Sequence, residues 1–409
     1  MPTWSRAQFL ALSSLPAVAG SFAPLAAFSA TQTAIRAARA LVLSGGGARG
    51  AYQAGIISSL AAQAGIADGS PLLPYGLVCG TSIGALNGYF VATGQYSLLR
   101  QLWFSVAEQQ PIQLKREYAK ITDTNKGIGS RVWQAVHLAM GLSSHVKGVI
   151  DGGHLHDWIA HYVDPSRPVV MPFVWTATNL TTQRPEFFYL VPAQADPEVR
   201  AEVIRALAIT VGPDAVLRPA TPGILVDALR ASAAVPLAFD PVVLPGVDGV
   251  PQEYVDGGVT ANTPVSMARA AARAIDVVFM DPVVESFTYH TALDVAFGVF
   301  GAMQHRILEA DLRAAFLETF GKRALAGAAP GSLRAQFAES LFDVDIATIR
   351  PKAQLPVDVD AFDDQTAIVQ TYEIGRTDGL HGFQPYEVDS PAAHPSRLDA
   401  GASKPPSIL

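Results

Sequence analysis

Between Arg39 and Phe90 the chain twice runs from a short apolar stretch through a glycine-rich turn into a helix-forming segment. Arg39-Ala40-Leu41-Val42-Leu43-Ser44 leads into Gly45-Gly46-Gly47-Ala48-Arg49-Gly50, and a helix follows from about Ala51 to Ala64. Tyr75-Gly76-Leu77-Val78-Cys79 leads into Gly80-Thr81-Ser82-Ile83-Gly84, and a helix follows through Leu86 and Phe90. Short apolar runs bounded by turn residues read as buried strands. Strands that alternate with helices need crossover connections, which favours α/β layering around a largely parallel sheet.

The rest of the chain extends this pattern. Val169 to Thr178, Glu186 to Leu190 and Ile275 to Met280 read as strands, and Val226 to Ala234 as a helix that ends before Pro236. From Thr291 to Phe320 a helical period sets Leu293, Phe297, Phe300, Met303, Ile307, Phe316 and Phe320 near one face. That face reads as packed on the core, with a lipid-facing lid as the sharper alternative. Of the 409 residues, 49% are hydrophobic and 16% charged, ample for a buried core. The formal charge of −7 and the lack of Lys/Arg runs argue against a nucleic-acid partner. They also leave any lipid contact mainly hydrophobic. Cys79 is the single cysteine, so no intramolecular disulfide forms, and its apolar strand makes it a core residue.

Residues 1–35 read as a signal or pre-sequence. Arg6 precedes an uncharged stretch from Ala7 to Ile35 with a small-residue cleavage site at Ala17-Val18-Ala19. The expectation is export through that signal, the alternative being a cytoplasmic protein or one peripheral to a membrane. A catalytic domain is expected over 36–285, a helical extension over 286–385 and a disordered Pro/Ser/Ala-rich tail over 386–409.

Gly80-Thr81-Ser82-Ile83-Gly84 fits G-x-S-x-G, in which a serine sits on a sharp strand-to-helix turn with its hydroxyl exposed. The following helix aims its N-terminal amides and positive dipole end at the reaction site. Five residues alone are a weak signal, but the preceding strand and following helix are the context the motif requires. In the Gly45–Gly50 loop, consecutive glycines let backbone amides approach a ligand. Gly45, Gly47 and Gly50 also satisfy G-x-G-x-x-G, but Asp68, the acidic residue near the expected distance, lies in a loop. No Gly-Lys-Ser/Thr is present, which excludes a P-loop.

A serine nucleophile needs a group to take its proton. Glu253-Tyr254-Val255-Asp256-Gly257-Gly258 ends a short strand with a carboxylate in a glycine turn, followed by Asn262 and Pro264. The glycine loop with its arginine, Gly-Thr-Ser-x-Gly, Ala231-Ser232-Ala233-Ala234-Val235-Pro236 and Asp-Gly-Gly occur here in an order that resembles patatin-like phospholipases. The resemblance spans roughly Arg39 to Met280. It implies a three-layer α/β/α patatin-like hydrolase domain with a mainly parallel sheet and a helical C-terminal extension. It makes Ser82 the nucleophile and Asp256 its partner in a dyad, with an oxyanion hole over Gly45, Gly46, Gly47, Ala48 and Arg49, where Arg49 holds the loop's shape. It further implies ester hydrolysis of acyl lipids or phospholipids through an acyl-enzyme, without cofactor or metal, and with transient membrane-surface contact. Leu237, Phe239, Phe297 and Phe300 are candidates for an acyl pocket on hydrophobicity alone.

Three rivals bear on the site. Asp151-Gly152-Gly153 repeats the Asp-Gly-Gly pattern, but it precedes a helix and lacks the following Asn and Pro, so Asp151 reads as an N-cap. His154, His156, Asp157 and His161 fit no established zinc spacing. His290, His305 and His381 could complete a Ser-Asp-His triad, though none lies in a distinctive loop.

Overall fold

The computed structural model describes residues 37–142, 147–211, 215–282 and 292–386. The first strand, β1 (Ala37–Leu43), is the centre from which the fold is built. Its side chains alternate between two cores. Leu41 and Leu43 face one cluster, and Ala40 and Val42 face the other. A strand covered on both faces reads as a continuous apolar run because side chains point alternately up and down, yet neither direction meets water.

β1 is flanked by β2 (Leu77–Thr81) and β8 (Ala272–Val278), both parallel to it. β3 (Phe173–Asn179) extends the parallel set beyond β2, and β9 (Asp345–Ile349) extends it beyond β8. β4 (Arg184–Leu190) runs antiparallel to β3, β5 (Val216–Pro219) parallel to β4, and β10 (Gln384–Pro385) antiparallel to β9. The sheet order is β10-β9-β8-β1-β2-β3-β4-β5. A hairpin of β6 (Val242–Pro245) and β7 (Pro251–Asp256) docks by β7 on the last residues of β3. Since β7 runs antiparallel to β3, its 246–250 turn projects beyond the carboxyl edge of the parallel strands.

Helices cover both faces, giving the three layers. On one side lie α1 (Gly50–Gln63), α2 (Ile83–Ala92), α3 (Tyr96–Gln109), α4 (Ile128–Leu142), α5 (Gly152–Tyr162) and α7 (Leu225–Ser232). On the other lie α6 (Pro197–Val211), α8 (Val265–Ala271) and α9 (Ala292–Ala324). α10 (Leu333–Ser340) pairs with the end of α9, and α11 (Gln365–His381) packs along α1. There Tyr52 Oη–H donates to Asp378 at 2.7 Å, and Gln63 Nε2–H donates to the Gly379 carbonyl at 3.0 Å. The C-terminal extension is thus mostly helical and also adds β9 and β10 to the sheet. Periodicity marks its long helix, but strands as short as these carry too few residues to show alternation.

Among the described side chains of the long helix, the expected apolar face departs from the buried one at Phe320. Leu308, Leu312, Ala315 and Thr319 are buried, whereas Phe320 and Leu317 are 57% and 63% exposed. Phe320, expected on the apolar face, therefore turns outward. Phe316 stays half-buried against Tyr386, at 6.5 Å between ring centroids. The side chains of Leu293, Phe297, Phe300 and Met303 lie outside those described. No helix among the described residues is long and apolar enough to cross a membrane. The expected pre-sequence and most of the expected tail also fall outside the described residues.

Candidate active site

The carboxyl ends of β1 and β2 put the two glycine turns side by side, as neighbouring parallel strands must. Ser82 occupies the corner between β2 and α2 with φ 55° and ψ −126°, a left-handed conformation costly for a residue with a side chain. The flanking glycines permit it. A Cβ on Gly80 would lie 2.4 Å from the Gly84 carbonyl oxygen, and one on Gly84 would lie 2.3 Å from the Leu43 carbonyl oxygen. The spacing in Gly80-x-Ser82-x-Gly84 is thus a steric requirement of the corner, with each glycine at a backbone crossing.

Asp256 ends β7, where Gly257 and a one-turn helix (Gly258–Ala261) begin. The Ser82 side chain stands beside the Asp256 carboxylate and acts to lower its pKa, and the Gly258 amide donates to Oδ1 at 2.6 Å. Asp256 is buried, at 3% exposure, and burial pushes its carboxyl from 3.8 up to about 6. Ser82 and the Gly258 amide work in the opposite direction, so loss of hydration prevails.

Threonines from the sheet hold the aspartate turn. Thr178 Oγ1 donates to the Asp256 carbonyl at 3.0 Å and bonds Thr260 Oγ1 at 2.9 Å. Thr81 Oγ1 donates to the Ala261 carbonyl at 2.8 Å. Nothing in the spacing of these threonines marks them in sequence, because β3 and β2 are brought to the turn by tertiary pairing. The segment Ala231–Pro236 was visible as a motif but had no role; here it runs between Ser82 and Asp256.

The amides of the glycine loop divide into two sets. Gly45 N–H donates to the Asn262 carbonyl at 3.1 Å, Ala48 N–H to Val359 at 2.8 Å, and Arg49 N–H to Gly46 at 3.2 Å. Those three amides are committed to the fold, which narrows the expected oxyanion loop. The amides of Gly46 and Gly47 have no hydrogen-bond partner among the described residues. Gly47 has φ +56°, and a Cβ there would meet the Val359 carbonyl oxygen at 2.0 Å, so only glycine fits. Arg49 is buried and ion-paired to Asp281, tying the loop to the segment after β8.

Asp151 caps α5, accepting from the Gly153 amide at 3.0 Å and the His154 amide at 3.2 Å. His381 is exposed at the end of α11, while His290 and the His305 side chain lie outside those described. Among the described residues, no group of three or more His, Cys, Asp or Glu is placed to hold a metal. Cys79 is fully buried in β2, which raises its thiol far above the ordinary range. Phe239, a candidate for the acyl pocket, is buried in the core, whereas Leu237 is 43% exposed on a left-handed backbone with φ 70°.

No curated protein sequence matches the chain significantly. Among solved structures it is similar to VipD from Legionella pneumophila, with 11% identity and a TM-score of 0.32, over 85% of this chain and 67% of that one. The family model described as Patatin-like phospholipase matches residues 41–269, from the first buried strand through the aspartate turn and into α8. That span is more than half of the chain, and the chain belongs to the patatin-like phospholipase family.

Proposed function

We propose that this family member cleaves carboxylic esters of acyl lipids, in the manner of a phospholipase A or esterase, with Ser82 as nucleophile and Asp256 as base. The observation that carries this reading is the Ser82 side chain, at its strained corner, standing beside a buried carboxyl raised to about 6. An aspartate at its ordinary 3.8 is a poor proton acceptor at neutral pH. Raising it brings the group closer to the operating pH, where general bases work best.

Ser82 Oγ attacks the ester carbonyl carbon and its proton passes to Asp256. The carbonyl oxygen becomes an oxyanion held by the Gly46 and Gly47 amides, which are uncommitted to the fold. Each such donor contributes about 10²–10³-fold in turnover. Collapse breaks the ester bond, and the leaving alcohol or lysolipid takes the proton from Asp256. Water then attacks the acyl-Ser82 carbonyl, gives its proton to Asp256, and releases the fatty acid as Ser82 recovers its hydrogen.

The lipid surface is met at the same edge. The β6–β7 hairpin exposes Val243 on β6 and Val247 and Val250 in its turn beyond the carboxyl ends of the strands, at 57%, 75% and 56%. Leu237 adds a further exposed apolar side chain. Such side chains suit shallow, reversible contact with an acyl boundary.

A fluorophosphonate probe, with the modified peptide identified by mass spectrometry, tests the nucleophile. Ester turnover by wild type, Ser82→Ala and Asp256→Asn tests the dyad. Labelling at Ser82 with turnover lost in both variants is the expected result. Full activity in Asp256→Asn, or label on another residue, would overturn it.

A further inference from the structure

Two strained or turning segments must be held at hydrogen-bonding distance for the dyad to exist, and one short segment touches both. Ser232 closes α7 with its side chain fully buried. Its Oγ accepts from the Ser82 amide at 2.9 Å and donates to the Thr176 carbonyl of β3 at 2.6 Å. Two residues on, the Ala234 carbonyl accepts from the Asp256 amide at 2.8 Å. The Ser232 carbonyl accepts from the Gly257 amide at 3.3 Å.

We infer that Ser232 is a positioning residue, whose hydroxyl locks the strained backbone of Ser82 to the same segment that anchors the Asp256 turn. This inference rests on the proposed dyad. Helix formation in α2 gives the Ser82 amide no intrahelical acceptor, since it lies at the cap. The Ser232 hydroxyl supplies that acceptor, and its second bond to Thr176 fixes the hydroxyl's own rotation. The Thr176 strand also pairs with β7, through Ala177 opposite Asp256. One hydroxyl thus spans the nucleophile's backbone and the strand beside the base. Without it, the left-handed corner has less to hold it, and the Ser82 oxygen drifts from the carboxylate. A misplacement of about 1 Å in a reacting group can cost about 10²-fold in rate.

The test compares Ser232→Ala and Ser232→Cys with Thr319→Ala. Thr319 is an equally two-bonded buried hydroxyl between α9 and β9, bonding the Val344 carbonyl at 3.1 Å and amide at 3.0 Å. The readouts are the rate of fluorophosphonate labelling at Ser82 per folded molecule, and kcat and KM on a soluble ester. Labelling and kcat should fall about 10²-fold in both Ser232 variants, with KM unchanged and Thr319→Ala like wild type. The acid limb of kcat/KM should also move to higher pH, because a loosened Ser82 no longer lowers the Asp256 pKa. If Ala proves too unstable to fold, the near-isosteric Cys variant carries the comparison. A folded Ser232 variant that labels at the wild-type rate would overturn the inference and leave the dyad standing. A wild type that takes no label would overturn both.

Discussion

Replacing Asp256 with asparagine should stabilise this protein at neutral pH while abolishing its turnover. The carboxyl is buried and its pKa is raised from 3.8 to about 6. A raised carboxyl binds its proton more tightly in the folded chain than in the unfolded one. Its favourable contribution is therefore complete below about pH 4 and is lost as pH rises through about 6. A rise of that size corresponds to about 3 kcal/mol, at 1.36 kcal/mol per pH unit. Asparagine stays neutral throughout, and its Oδ1 can still accept from the Gly258 amide. The variant should thus match wild type near pH 4 and gain about 3 kcal/mol on it by pH 8. With an unfolding entropy of about 2.1 cal/mol/K per residue, that gain raises Tm by about 3–4 °C. Thermal melts of both proteins at half-unit steps from pH 4 to 8 measure it, and the other titrating groups cancel in the difference. A Tm difference that stays flat across that range would refute the reasoning, for it would mean that the carboxylate loses no hydration on folding.

The same carboxyl sets the pH profile. kcat/KM on a soluble ester should rise with an acid limb centred near pH 6, and a limb near 4 would show that the base keeps an ordinary carboxyl pKa. Gly47→Ala should cost at least about 10²-fold in kcat, since its Cβ would collide with Val359 and shift an amide proposed to hold the oxyanion; steady-state kinetics on the folded variant would show it. Val247→Asp should weaken turnover on phospholipid vesicles while leaving a soluble short-chain ester unaffected, and equal loss on both would argue against surface contact. Glu186→Ala should destabilise by about 1–3 kcal/mol in urea melts. It removes the buried carboxylate that accepts from the half-buried Arg218 at 2.9 Å, Asn179 at 3.1 Å and Tyr254 at 2.9 Å.

Sequence by itself determined the alternation of apolar strands and helices, because a strand buried on both faces must be apolar throughout, as Leu41 to Leu43 are. It also determined the corner at Ser82, because Gly80 and Gly84 are demanded by contacts within a few residues or with the adjacent β1. Asp256 was legible through the glycines that follow it. Tertiary structure alone decided which amides of the glycine loop remain available, since Asn262 and Val359 approach from distant parts of the chain. It also decided the orientation of α9, where a period drawn through Ile307, Phe316 and Phe320 assigned Phe320 inward although Leu312 and Ala315 are buried. The role of Ser232 was hidden for the same reason. A hydroxyl's partners in a folded core are set by which strands pair, and Thr176 and Ser82 meet it only once β2 and β3 lie side by side.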